Sequence, residues 1–105
     1  MDNLKLHEKE KLDAVEKLAL ELMKQYQVSH YNFKFGYRWA YWRKCKADTI
    51  IIHYQFALAY SIKEIKNTIL HEIAHAIVGV GFGHRIEWQN KAIELGVKFR
   101  RNYRK

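Results

Sequence analysis

His71, Glu72 and His75 stand at the spacing H-E-x-x-H inside an apolar run with helical periodicity. On an α-helix, residues i and i+4 lie one above the other on the same face. Two imidazoles placed in this way can reach one tetrahedral zinc ion at about 2.0–2.1 Å. Glu72, next to the first histidine, is placed to act as general base toward an attacking water. The chemistry such a trio performs is metal-assisted hydrolysis, above all of peptide bonds. The bland alternative is a helix with one buried and one solvated histidine. So short a motif also arises by chance, so its surroundings must decide.

A catalytic zinc ion keeps three protein ligands and one open position. The segment after the motif is broken by Gly79, Gly81 and Gly83, and the next residue is His84. A chain reversal there would return His84 to the metal, so His84 is the expected third ligand. A metzincin would place glycine at 78 and histidine at 81, but the chain has Val78 and Gly81. Glu87 and Glu94 are the competing ligands. Imidazole suits zinc and a loop–helix junction is adaptable, which favours His84. Glu87 could instead orient a ligand from outside the coordination sphere.

These residues need elements to hold them. Residues 4–26 read as an amphipathic helix, with Leu4, Leu12, Val15, Leu18, Leu22 and Tyr26 on one stripe and Asp2 or Asn3 as cap. The period then changes to two. Tyr31, Phe33, Phe35, Tyr37 and Trp39 form the aromatic face of a strand. Tyr37 and Trp39 are expected in the core. Residues 40–48 are polar and basic and should turn the chain. Residues 49–54 form a β-branched strand, and residues 56–60 a short helical turn. Ser61 and Glu64 match a capping box. The helix that follows should run from Ile62 to about Val78, with Ile62, Ile65, Ile69, Ile73 and Ile77 as its core stripe. A last helix over residues 84–95 should end at Gly96. Residues 97–105 are a short strand or a basic tail.

The two histidine segments read Ile69-Leu70-His71-Glu72-Ile73-Ala74-His75 and Gly83-His84-Arg85-Ile86-Glu87-Trp88. In that order, behind an aromatic basic strand and a hydrophobic strand, they resemble the SprT-like (Spartan-type) zinc metalloproteases. The resemblance covers about residues 10–96. It implies a zinc peptidase fold, with His71, His75 and His84 as ligands and Glu72 as the catalytic glutamate. It also implies substrates that are proteins bound or crosslinked to DNA. Arg85 replaces the glycine that often follows the third histidine in the family. No cysteine-rich zinc ribbon follows, so the chain reads as a minimal version.

The chain has 105 residues, 49% of them hydrophobic, which is enough for a modest core and one domain spanning 1–105. No apolar run approaches the ~20 residues of a membrane span. The first five residues lack the features of a secretory signal. Cys45 is the only cysteine, which excludes an internal disulfide and suits a reducing compartment. A cytoplasmic protein is expected, in the host cytoplasm if the source is viral.

The net charge is +8, and it is segregated. Residues 28–60 carry Lys34, Arg38, Arg43, Lys44 and Lys46 against Asp48 alone. Residues 97–105 carry Lys98, Arg100, Arg101, Arg104 and Lys105 with no acid. Such clusters suit a polyanion, though a basic surface also serves solubility. Trp42 beside Arg43 and Lys44 suits bases and phosphates of single-stranded nucleic acid. Arg100, Arg101 and Arg104 suit nonspecific phosphate contacts. The same basic surroundings could lower the pKa of Cys45. His7, His30 and His53 have no ligand spacing to the motif, so surface or capping roles are expected.

The sequence therefore points to an α+β domain in which a small sheet and an N-terminal helix pack against the H-E-x-x-H helix. Its function would be zinc-dependent peptide hydrolysis with one zinc ion per chain. Its partners would be a protein substrate and nonspecific, preferentially single-stranded DNA. Two other readings stay open. One is a nucleic-acid-binding module with a structural zinc ion, and the other a regulatory peptidase that cleaves a single repressor-like protein.

Overall fold

The computed structural model describes residues 6–37, 43–45, 48–79 and 84–98. Among them the elements run α1 (Leu6–Gln25), β1 (Asn32–Gly36), β2 (Arg43–Cys45), β3 (Thr49–His53), α2 (Tyr54–Ala59), α3 (Ile62–Val78) and α4 (Ile86–Leu95). The fold is α+β, as the sequence leads one to expect.

The sheet has the order β1-β3-β2. β1 runs parallel to β3 with Phe33 opposite Ile50 and Phe35 opposite Ile52. β2 runs antiparallel to β3 with Cys45 opposite Ile50. Residues 43–45, expected in a turn, are thus an edge strand. β3 takes the centre because its run of three isoleucines can be buried on both faces. Ile50 and Ile52 join the main core, and Ile51, on the other face by strand alternation, is equally buried. Phe33 and Phe35 meet edge to face at 5.2 Å and pack on the same core.

α1 contributes Leu12, Val15, Ala19, Leu22 and Met23 to the core. Ala19 and Met23 widen the expected stripe, and Leu18 and Tyr26 lie at its margin. The helix ends with Gln27 in the left-handed region (φ 63°), where the Val28 N–H reaches back to the Met23 carbonyl at 2.8 Å. α4 ends in the same way at Gly96 (φ 89°), with the Val97 N–H on the Ala92 carbonyl at 2.9 Å. Asn67 of α3 then clamps Lys98, accepting from its backbone N–H at 2.6 Å and donating to its carbonyl at 3.1 Å.

Three further sequence expectations need correction. Tyr37 is 51% exposed, because β1 stops at Gly36 and the alternation stops with it. Tyr37 instead lies against Tyr54. Tyr54 itself begins α2 rather than ending β3. The stripe of α3 is shorter than its periodicity, for Ile65, Ile69 and Ile73 are fully buried while Ile62 and Ile77 are exposed. Asp2, Asn3, Leu4 and Trp39 lie outside the described residues.

Truncating Ile69 to Ala should cost about 2–5 kcal/mol, as large-to-small core changes do. Ile62→Ala should stay within about 0.5 kcal/mol, as exposed positions do. Urea unfolding of both variants checks the contrast. Equal losses would mean that the stripe does extend to Ile62.

Candidate metal centre

α3 places the first site residues, and its two ends are fixed locally. Ser61 Oγ accepts from the Glu64 N–H at 3.2 Å, and Glu64 Oε1 accepts from the Ser61 N–H at 3.4 Å. The capping box read from the sequence is formed. At the other end Gly79 (φ 113°) donates its N–H to the His75 carbonyl at 2.8 Å. His71 and Glu72 therefore sit in mid-helix and His75 in the last turn. His71 is 4% exposed and Glu72 3%, although both are polar.

His84 stands two residues before α4 and is brought back to the same place. Its Nε2 lies 3.3 Å from His71 Nε2. One ligand atom each from His71, His75 and His84 can be chosen so that all lie within 4.8 Å of one another. Ligands at 2.0–2.1 Å around a tetrahedral ion stand about 3.3 Å apart. The His71–His84 spacing matches that figure. The donor set fits a zinc-type ion. Glu72 Oε2 lies 3.6 Å from His71 Nε2, close to the cluster and at its edge.

The carboxylate alternatives are not brought to this place. Glu94 pairs with Lys91 at 3.1 Å on the surface of α4. Glu87 is exposed in the first turn of that helix. His53 is buried and caps α2, accepting from the Gln55 N–H at 3.1 Å. His7 and His30 are exposed.

Residues the ligand logic passes over complete the site. Trp88, 1% exposed, donates its indole N–H to the His71 carbonyl at 3.2 Å. Gln89 donates its side-chain amide to the His84 carbonyl at 2.9 Å, which holds the third histidine from α4. A buried indole needs an acceptor, so Trp88 after a histidine segment is a signal, but the sequence does not say which carbonyl it meets.

β2 packs beside α3 and carries Cys45 to the site's flank. Burial, and after it the negative charge of Glu72, push the Cys45 thiol up to about 12. The expected lowering by basic neighbours is thus reversed, because the thiol belongs to the core margin rather than to the charged surface. Tyr31, whose hydroxyl donates to the Ala76 carbonyl at 3.5 Å, is also raised by burial and then by Cys45 and Asp48.

Of the residues expected to touch nucleic acid, Arg43 and Lys44 lie on β2. Trp42, Arg100, Arg101 and Arg104 lie outside the described residues. No helix among the described residues is long and apolar enough to cross a membrane.

The thiol makes a direct prediction. A rise from 9.0 to about 12 cuts the reactive thiolate at pH 8 about a thousandfold. Alkylation of Cys45 by iodoacetamide should be slow at pH 8, climb about tenfold per pH unit toward pH 12, and quicken in Glu72→Gln. Labelling followed by mass spectrometry measures all three. A rate like that of free cysteine at pH 8 contradicts the assigned burial.

The model of the SprT-like family matches residues 9–103. No curated protein and no solved structure matches the chain.

Proposed function

The chain belongs to the SprT-like family, a metallopeptidase-type family, and from that footing we propose that it is a zinc-dependent endopeptidase. The observation that carries the proposal is the convergence of His71, His75 and His84, with the Glu72 carboxylate 3.6 Å from His71 Nε2. Those three histidines would hold the ion. Zinc would supply Lewis acidity for the scissile carbonyl and the attacking water. Glu72 accepts the proton of that water and delivers it to the leaving amine, a service worth about 10²–10⁴-fold in rate. Its near-complete burial keeps bulk water from competing for the proton.

The substrate would lie as an extended strand along β2. Among the described residues β2 pairs with β3 alone, and it flanks α3 beside Glu72. Backbone pairing at a sheet edge tolerates many sequences. A side chain that could stabilise the oxyanion is not assigned: Tyr54 is engaged with Tyr37, His53 and Gln55, and Arg85 is exposed at the start of α4.

Two variants separate ligand from base. His84→Ala should lose zinc, because three ligands leave no spare. Glu72→Gln should keep zinc and lose peptidase activity by about 10²-fold or more. Elemental analysis and cleavage of an unfolded protein substrate provide the two readouts. Full zinc in His84→Ala, or undiminished cleavage by Glu72→Gln, would sink the assignment.

DNA-associated proteins are the proposed substrate class. The support is the charge of residues 28–60 and 97–105 on either side of the balanced catalytic stretch. Single-stranded DNA binding should be weak, and salt should weaken it further. Replacing Arg100, Arg101 and Arg104 with Gln should flatten the log–log salt slope by about 0.7 for each phosphate these arginines neutralise. Identical slopes for wild type and triple variant would show that they do not touch phosphate.

A further inference from the structure

We propose that Trp88 is the positioning residue of the three-histidine set, through its ring and its N–H together. The inference rests on the metal reading given above. The indole lies against all three imidazoles. Its ring centroid is 4.6 Å from that of His71, 5.0 Å from His75 and 4.5 Å from His84. The contact with His75 is stacked at 20°, whereas His71 and His84 meet the indole at 60° and 57°. A single rigid surface therefore bears on one ring face to face and on the other two at a steep tilt.

The N–H acts on the backbone. It donates to the His71 carbonyl, which on a helix also accepts from the N–H of residue 75. The turn between the two helical ligands is thereby tied to α4, the helix that carries Gln89 and so holds His84. Trp88 is 1% exposed, so it is shielded from bulk solvent. Ligand rings that can rotate freely lose conformational entropy when an ion gathers them, and a prearranged set loses less. Residues that hold metal ligands from behind typically contribute 10–100-fold to affinity. Most hold a ligand by its second ring nitrogen, whereas Trp88 bears on the rings themselves, stacked on His75 and steeply tilted to His71 and His84, and holds one ligand by its backbone.

Two substitutions divide the roles. Trp88→Phe keeps an aromatic face and loses the N–H. Trp88→Leu loses both. Zinc affinity, measured by competition with a chromophoric chelator, should fall about tenfold in the first and about 100-fold in the second. The visible absorption of the cobalt-substituted protein should change in the same order, since it reads ligand geometry directly. Leu95→Ala serves as the control. It removes a buried side chain of α4 that is nearly two turns from Trp88, and it should lower the urea midpoint without moving zinc affinity or the cobalt spectrum.

A merely structural Trp88 would behave like Leu95. Unfolding midpoints would drop with zinc affinity and spectrum unchanged in Trp88→Phe, and that result overturns the proposal. Should Trp88→Leu fail to fold, Trp88→Phe alone still decides. Failure of wild type to bind zinc would instead strike the metal reading itself, so the two failures are distinguishable.

Discussion

His71 and Glu72 are neighbours in sequence, and both are buried in the middle of a helix whose remaining inner face is rich in isoleucine. Burying polar groups costs of order 1–3 kcal/mol each by mutational measures unless they find partners. That cost is the constraint around which the fold is arranged. The stripe of Ile65, Ile69 and Ile73 offsets it by anchoring α3 against α1 and the sheet. Each fully buried aliphatic side chain contributes about 1.5–3 kcal/mol. The adjacent face of the same helix is then free for chemistry. His84 and Trp88 close over that face from the α4 side, and β2 closes it on the other.

The closure is built from few, specific contacts. α3 and α4 are joined at two levels. The indole reaches the His71 carbonyl near the middle, and Asn67 clamps Lys98 about one turn below. The left-handed Gly96 turns the chain so that Val97 is buried and Lys98 meets Asn67. The site is thus supported by both ends of α4. On the β2 side, burial first and the charge of Glu72 second make the Cys45 thiol resist ionisation. A neutral, half-buried thiol beside the carboxylate keeps that flank apolar and leaves the charge to Glu72.

What was legible in the sequence was what is local. The helical setting of H-E-x-x-H, the capping box at Ser61 and Glu64, and the Gly96 cap each act over four or five residues, and these local structures form as read. His84 was legible because a glycine-rich segment followed by histidine can reverse the chain. β2 was not, since three residues, two of them basic, carry no period, and their pairing with β3 is decided by register between the two strands. Ile62 and Ile77 continue a helical stripe beyond the neighbours that would cover it. Tyr37 continues an alternation past the end of its strand. The raised pKa of Cys45 depends on burial and on Glu72, distant in sequence and near in space. Periodicity describes which face a residue takes, and it does not say how far the partner surface extends.

The central claim is that three imidazoles, with neither the nearby thiol nor a surface carboxylate, form the protein's share of a zinc site. X-ray absorption at the zinc edge of the reconstituted protein tests it most directly. The account predicts a first shell of nitrogen and oxygen at about 2.0–2.1 Å with imidazole scattering from three rings. A sulfur shell at about 2.3 Å, which only Cys45 or a methionine could provide, or fewer than three imidazoles, would contradict it.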